Sequence, residues 1–232
     1  MTIYRFIGDL HGKEKYIPRC TAQGIATIAV GDVGIDDVTS PYYKLPVPQG
    51  SNFSYIRGNH DNPGLVITDP HYIGNAAVAP VTFDIHIALL SGGFSTDRAS
   101  RTPGKDWWED EELSQEDFDW WMEQVRDVQP DVIVTHSAPP LVFPFIGVPS
   151  GNFRSRTDRF LDVVSYFIKP KVWIFGHYHR SADVRLNTVT GREDPNGTRF
   201  ICLDEGEAVD LDSWVFNASP QGDGLTKVYF PT

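Results

Sequence analysis

Five of the chain's seven histidines fall in short motifs shared with Asp and Asn. These are Gly8-Asp9-Leu10-His11-Gly12, Gly31-Asp32, Arg57-Gly58-Asn59-His60-Asp61, His136 in Val134-Thr135-His136-Ser137-Ala138-Pro139, and Gly176-His177-Tyr178-His179. Carboxylate, amide oxygen and imidazole nitrogen without any thiolate suit Mn, Fe, Zn, Co or Ni better than a soft-metal site. Asp9 and His11 are one residue apart, so along an extended segment both side chains converge on one cation. Asp32 offers two carboxylate oxygens, enough to bridge two cations. A His-x-His pair can chelate by itself, whereas a single Asp or His in such a motif is more often a cap or a turn residue. Occurrence of all the motifs together, in this order, points to a metal site.

Each motif directly follows an apolar run rich in Ile, Val and Phe: residues 3–7 precede Asp9, 26–30 precede Asp32, 53–56 precede Asn59, 131–135 precede His136 and 172–175 precede His177. Runs of that kind are buried strands. The polar groups are then expected at one end of a sheet, where the loops beyond the strands' carboxyl ends form the crevice that α/β proteins use for ligands. Ser114-Gln115-Glu116-Asp117 reads as a capping box opening a helix to about residue 128, with Phe118, Trp121, Met122 and Val125 at helical spacing. Thr157-Asp158 predicts the start of a second helix, running to residue 168 and ended by Pro170, with Leu161, Val164, Tyr166 and Phe167 available for packing. A short helix after Gly12 is interrupted by Pro18. Beyond Arg180 the runs 184–189, 198–203, 208–215 and 225–230, separated by Gly-rich turns, predict a second, mostly antiparallel sheet packed against the first. The expected fold is α/β, a four-layer α-β-β-α sandwich of two mixed β-sheets, with residues 1–232 forming one domain.

On these motifs, which span residues 8–179, the chain resembles the calcineurin-like metallophosphoesterases. Gly92-Gly93-Phe94-Ser95-Thr96-Asp97-Arg98, Arg101-Thr102-Pro103-Gly104-Lys105-Asp106-Trp107-Trp108 and Glu111-Glu112-Leu113-Ser114 resemble a stretch of the small bacterial and phage members. The resemblance implies two divalent metal ions, manganese foremost among those named above. Asp9, His11, Asp32 and His179 would hold the first, and Asp32, Asn59, His136 and His177 the second. A hydroxide between the ions would attack phosphorus in line, hydrolysing a phosphomonoester or phosphodiester. By the same resemblance His60 is the acid that protonates the leaving oxygen or hydrogen-bonds the phosphoryl group. Arg57, Arg98 and Arg101 are candidate substrate-binding residues, and Arg154 and Arg156 weaker ones, whereas Arg159 reads as an exposed helix charge. Asp97 paired with Arg98 or Arg101 is an alternative that would merely hold the loop, with Trp107 and Trp108 packed beneath it. His71 and His86 match no motif and are assigned to the surface.

The protein serine/threonine phosphatases of this superfamily carry Gly-Asp-x-x-Asp-Arg at the second motif, where this chain reads Gly31-Asp32-Val33-Gly34-Ile35-Asp36. An acidic partner for His60 and one phosphate-binding arginine are therefore missing, and Asp61 stands in place of a glutamate. A protein phosphatase, a nuclease and a non-catalytic interaction scaffold remain the alternatives. The net charge of -11 opposes the nuclease, since binders of long nucleic acid usually present a basic face. The intact set of ligands opposes the scaffold. Apolar runs are of strand length only, well short of the roughly 20 residues of a membrane span. A strand directly after Met1 leaves no room for a signal peptide, and Cys20 and Cys202 show no metal-ligand spacing, so a cytoplasmic location is expected. The expected partner is a small or nucleotide-like phosphoester rather than a membrane.

Overall fold

Alternation of side chains along the strands sorts the apolar runs into three layers of core. The computed structural model describes residues 3–35, 47, 51–82, 85–149, 155–212 and 225–228. A five-stranded sheet has the order β12-β11-β1-β2-β3, comprising β1 (Ile3–Ile7), β2 (Ile25–Ala29), β3 (Phe53–Tyr55), β11 (Ala208–Asp212) and β12 (Leu225–Val228). A seven-stranded sheet has the order β4-β5-β6-β7-β10-β8-β9. Its strands are β4 (Ala76–Thr82), β5 (Ile85–Leu90), β6 (Val132–Thr135), β7 (Val172–Phe175), β8 (Ala182–Asn187), β9 (Arg192–Glu193) and β10 (Thr198–Cys202).

Successive residues of a strand face opposite ways. Val132, Val134, Val172 and Ile174 therefore meet Phe6, Val30, Val209 and Leu211 between the sheets. Their neighbours Ile133, Trp173 and Phe175 face the helices α3 (Gln115–Val128) and α4 (Arg156–Phe167). On the far side of the smaller sheet, Ile7, Ala29, Phe53 and Tyr55 pack with Cys20 of α1 (Ile17–Cys20) and Val66 of α2 (Pro63–Val66). The layers run α-β-β-α.

Both sheets are mixed. Parallel pairs join β1 to β2, β2 to β3, β5 to β6, β6 to β7 and β7 to β10, while β11, β12, β4, β8 and β9 pair antiparallel. The expectation of a separate C-terminal sheet is corrected. β8 to β10 extend the seven-stranded sheet and β11 and β12 extend the five-stranded one, because Ile201 and Val209 fill the same inter-sheet core from opposite sides. The ligand motifs accordingly lie at the carboxyl ends of parallel strands from two sheets, not one.

α3 begins at the predicted capping box: Ser114 Oγ accepts from Asp117 N–H and the Asp117 side chain accepts from Ser114 N–H. The same device opens α4 two residues before the predicted start, with Ser155 as N-cap and Asp158 reaching back. Tyr166 and Phe167 are 56% and 52% exposed, so the packing expected of them is not made. Leu161 and Val164 of α4 enter the core, and half-buried Phe160 packs against it. Pro18 sits in the first turn of α1, where its missing N–H breaks no helical bond, and so does not interrupt it.

Trp121 is fully buried under α3, and its indole N–H has no partner among the described residues. Trp121→Ala should cost about 3–5 kcal/mol in denaturant unfolding. Trp121→Phe should cost clearly less, because its ring keeps most of the buried volume while, like alanine, it lacks the unsatisfied donor. Equal losses would show that the volume of the buried ring does not set the cost.

Candidate metal centre

The loops after β1, β2, β3, β6 and β7 bring Asp9, His11, Asp32, Asn59, His60, His136, His177 and His179 together. Ligand atoms of Asp9, His11, Asp32 and His179 lie within 4.8 Å of one another, and so do those of Asp32, His136 and His177. Asp32 belongs to both groups. His179 Nε2 stands 3.1 Å from Asp9 Oδ2 and 3.0 Å from His11 Nε2. His136 Nε2 stands 3.0 Å from Asn59 Oδ1 and 3.4 Å from Asp32 Oδ2.

Four of the five non-glycine residues with left-handed backbone among those described are His11 (φ 44°), Asp32 (φ 48°), His177 (φ 70°) and His179 (φ 49°). That conformation is unfavourable for residues with a side chain, and it is held here by the surrounding bonds. Leu10 and His11 N–H both donate to Asp32 O at 3.0 and 2.8 Å, and Gly12 N–H donates to Val33 O. The extended segment expected for Asp9 to His11 is thus replaced by a turn, which swings the His11 ring toward His179 rather than leaving it in strand register with Asp9.

Around this cluster lies a shell of orienting bonds. His136 Nδ1 meets Val30 O at 2.9 Å; with Nδ1 as the donor, Nε2 is the nitrogen that faces the centre. Asp9 accepts from His177 N–H, and Asp32 Oδ1 accepts from His60 N–H at 2.9 Å. Asn59 Nδ2 donates to Ser95 Oγ, which donates to Glu111 Oε2 at 2.5 Å, so the amide's oxygen is turned toward His136. Asp61 is fully buried and accepts from the N–H groups of Val33, Gly34, Ile35 and Gly58. Glu205, beyond β10, lies 3.5 Å from His179 Nδ1 and pairs with Lys13.

Electrostatically the cluster calls for positive charge. Asp9 and Asp32 are 0% and 1% exposed, and two buried carboxylates are costly without cations beside them. Burial alone would raise Asp32, but the rings of His136, His60 and His11 hold it well below the usual carboxylate range. Burial would lower His136, yet Asp32 and Asp9 hold it up at about 9. His177, pushed down by burial and by His136, falls to about 3. Carboxylate, amide and imidazole lone pairs converging at 3.0–3.4 Å fit a divalent cation in donor type and in charge.

The three sequence-predicted arginines part company. Arg57 is buried and donates to the carbonyls of Glu111 and Asp110, so it braces the loop. Arg98 is exposed and lies over the Phe94 ring. Arg101 contacts both ring nitrogens of His60 at 2.9 and 2.8 Å and donates to Asp97 Oδ1 at 2.7 Å, which realises the loop-holding alternative and also places it on His60. Trp108 Nε1 donates to His60 O. Arg154 and Asp36 lie outside the described residues, while Arg156 donates to Glu112 O.

Sequence reasoning did not single out Ser95, Glu111 or Glu205. Glu205 carried a usable signal, since it follows the apolar run 198–203 just as the ligands follow theirs. Ser95 and Glu111 are joined only by the fold.

The chain belongs to the calcineurin-like phosphoesterase family, whose sequence profile matches residues 4–181. It is a metal-dependent phosphoester hydrolase. No curated protein matches the sequence. Among solved structures, GAP50, the anchor in the inner membrane complex of Plasmodium, is 11% identical with a TM-score of 0.51, covering 91% of this chain and 82% of that one. That likeness is one of fold. An archaeal phosphodiesterase is 10% identical with a TM-score of 0.46, covering 98% of this chain and 99% of its own. Phosphopantetheinyl hydrolase from Mycobacterium tuberculosis is 11% identical with a TM-score of 0.47, covering 99% of each chain. No helix among the described residues is long and apolar enough to cross a membrane.

Proposed function

We propose that the protein hydrolyses small phosphomonoesters or phosphodiesters at a two-metal centre, with Asp9, His11, Asp32 and His179 holding one ion and Asp32, Asn59, His136 and His177 the other. The observation that carries this reading is the sharing of buried Asp32 by two clusters of convergent lone pairs. Bound there, divalent cations of the Mn, Fe, Zn, Co or Ni type, manganese foremost, would activate water and offset charge on the phosphoryl oxygens. His60, one residue past Asn59, has a side chain 33% exposed and borders the cleft above the centre. It would donate a proton to the leaving oxygen from one ring nitrogen, while Arg101 holds the ring through the other. Cys20 and Cys202 are buried free thiols, which suits the reducing cytoplasm. We read residues 1–232 as one domain.

The test is a screen of metal-reconstituted protein against phosphomonoesters, cyclic and linear phosphodiesters, dinucleotides and phosphopeptides. Metal-dependent turnover of a small ester supports the reading, and turnover confined to phosphopeptides would favour a protein phosphatase. With a net charge of -11, binding to long nucleic acid should be weak at physiological salt. Submicromolar, strongly salt-dependent retention of polymer in a filter-binding titration would move the assignment to a nuclease. Ser95→Ala should loosen the Asn59 amide and lower affinity at the second site by roughly 10- to 100-fold, the usual cost of an outer-shell partner. Metal titration of the variant would show that loss with the first site unchanged, or refute it.

A further inference from the structure

A cleft of about 390 Å³ opens beside the metal centre, bordered by Asn59, His60, His177 and His179. That is the small end of the range for small-molecule sites. Beyond the centre its lining is apolar at Phe94, Phe143 and Val148, and cationic at Arg101 and Arg180. The two arginines differ in what they already hold. Arg101 is bound to Asp97, His60 and the Asp106 carbonyl. Arg180, directly after the candidate ligand His179, is exposed, and its guanidinium has no ion pair or hydrogen bond to any described residue.

The guanidinium of Arg180 rests against Gly147 on the cleft wall. A Cβ at Gly147 would lie 3.1 Å from Arg180 Nη1, and its φ of +68° is one that glycine adopts without strain. The carboxylates that share the lining are committed elsewhere: Asp97 accepts from Arg101, and Asp158 caps α4. In a chain of net charge -11, a guanidinium facing a concave site without a carboxylate partner is fitted to an anion brought by the ligand.

We propose that Arg180 recognises a second anionic group on the substrate, a carboxylate or a further phosphate, remote from the ester that is cleaved. The substrate is then a compact organic phosphoester whose body lies along Phe94, Phe143 and Val148 while its two charged ends meet the metal centre and Arg180. This rests on the phosphoesterase reading above and narrows it to a substrate class.

The experiment compares kcat/KM of metal-reconstituted wild type, Arg180→Ala and Arg180→Lys on phenyl phosphate, its para-carboxylated analogue and the para-bisphosphate. Wild type should prefer the doubly anionic compounds by roughly ten- to hundredfold, the factor that charge-assisted hydrogen bonds are worth. In Arg180→Ala that ratio should fall to near one, and Arg180→Lys should recover part of it; the carboxylate and phosphate arms show which anion is read. A wild type without preference, or an Arg180→Ala variant that keeps the ratio or loses equally on all three, overturns the proposal. Calorimetry with benzylphosphonate and its para-carboxylated analogue separates the two readings. If wild type hydrolyses neither these monoesters nor any diester of the screen above, yet binds the carboxylated phosphonate more tightly through Arg180, the phosphoesterase reading fails and the recognition stands. If it neither hydrolyses nor discriminates, both fall.

Discussion

Replacing His60 by Asn should leave the fold and both metals in place while turnover falls by roughly 10²- to 10⁴-fold, the range of a positioned acid-base group. The backbone N–H of His60, not its ring, bonds Asp32 Oδ1, and Trp108 is held by the His60 carbonyl, so neither contact changes with the side chain. The ring stands beside His11 with centroids 5.2 Å apart and Nε2 3.9 Å from Asp32 Oδ2, close to the centre but outside both convergent clusters. A group so placed can give a proton to a departing oxygen without occupying a coordination position. An aryl phosphate with an activated leaving group needs no such proton, so its loss should be the smaller. Comparing kcat on an aryl and an alkyl ester in wild type and variant is the measurement. Equal losses would assign His60 to the phosphoryl oxygens, and loss of metal would make it a ligand.

The placement of the centre's polar side chains was readable because it is written locally. An apolar strand run followed by Asp, Asn or His places a polar side chain at a strand's carboxyl end whatever the sheet, and that held for Asp9, Asp32, Asn59, His136 and His177. What could not be read is which sheet each strand joins. That depends on how Ile201 and Val209 fill the inter-sheet core, a choice between partners far apart in sequence. Local strain was equally hidden. Nothing in Leu10-His11-Gly12 announces a left-handed His11, because the conformation is intrinsically disfavoured and arises only when two amides are drawn to Asp32 O. The bracing by Arg57 was hidden for a related reason: it depends on the loop 108–112, far away in sequence, whose carbonyls take its donors. The Ser114-Gln115-Glu116-Asp117 box shows the opposite case, in which a four-residue pattern suffices to start a helix, whereas the same device at Ser155 is passed over in favour of Thr157.

Asp32→Asn should release both metals together. The substitution keeps shape and an oxygen able to accept from His60 N–H, so the loop need not move. What it removes is the buried negative charge that both clusters share, and with it one anionic member of each. Affinity at each site should fall by more than the roughly 10- to 100-fold expected for an outer-shell partner. A second variant reaches the same carboxylate from outside the ligand set. A Cβ at Gly58 would lie 2.0 Å from Asp32 Oδ1 and 2.6 Å from Asp32 N, so Gly58→Ala must displace Asp32 while keeping its charge. Elemental analysis after dialysis should find both variants depleted of both ions, with far-UV circular dichroism checking the fold. His179→Ala and His177→Ala should instead empty mainly the first and the second site. If Asp32→Asn keeps one ion at full occupancy, Asp32 is a terminal ligand, and the two clusters are independent sites that happen to adjoin.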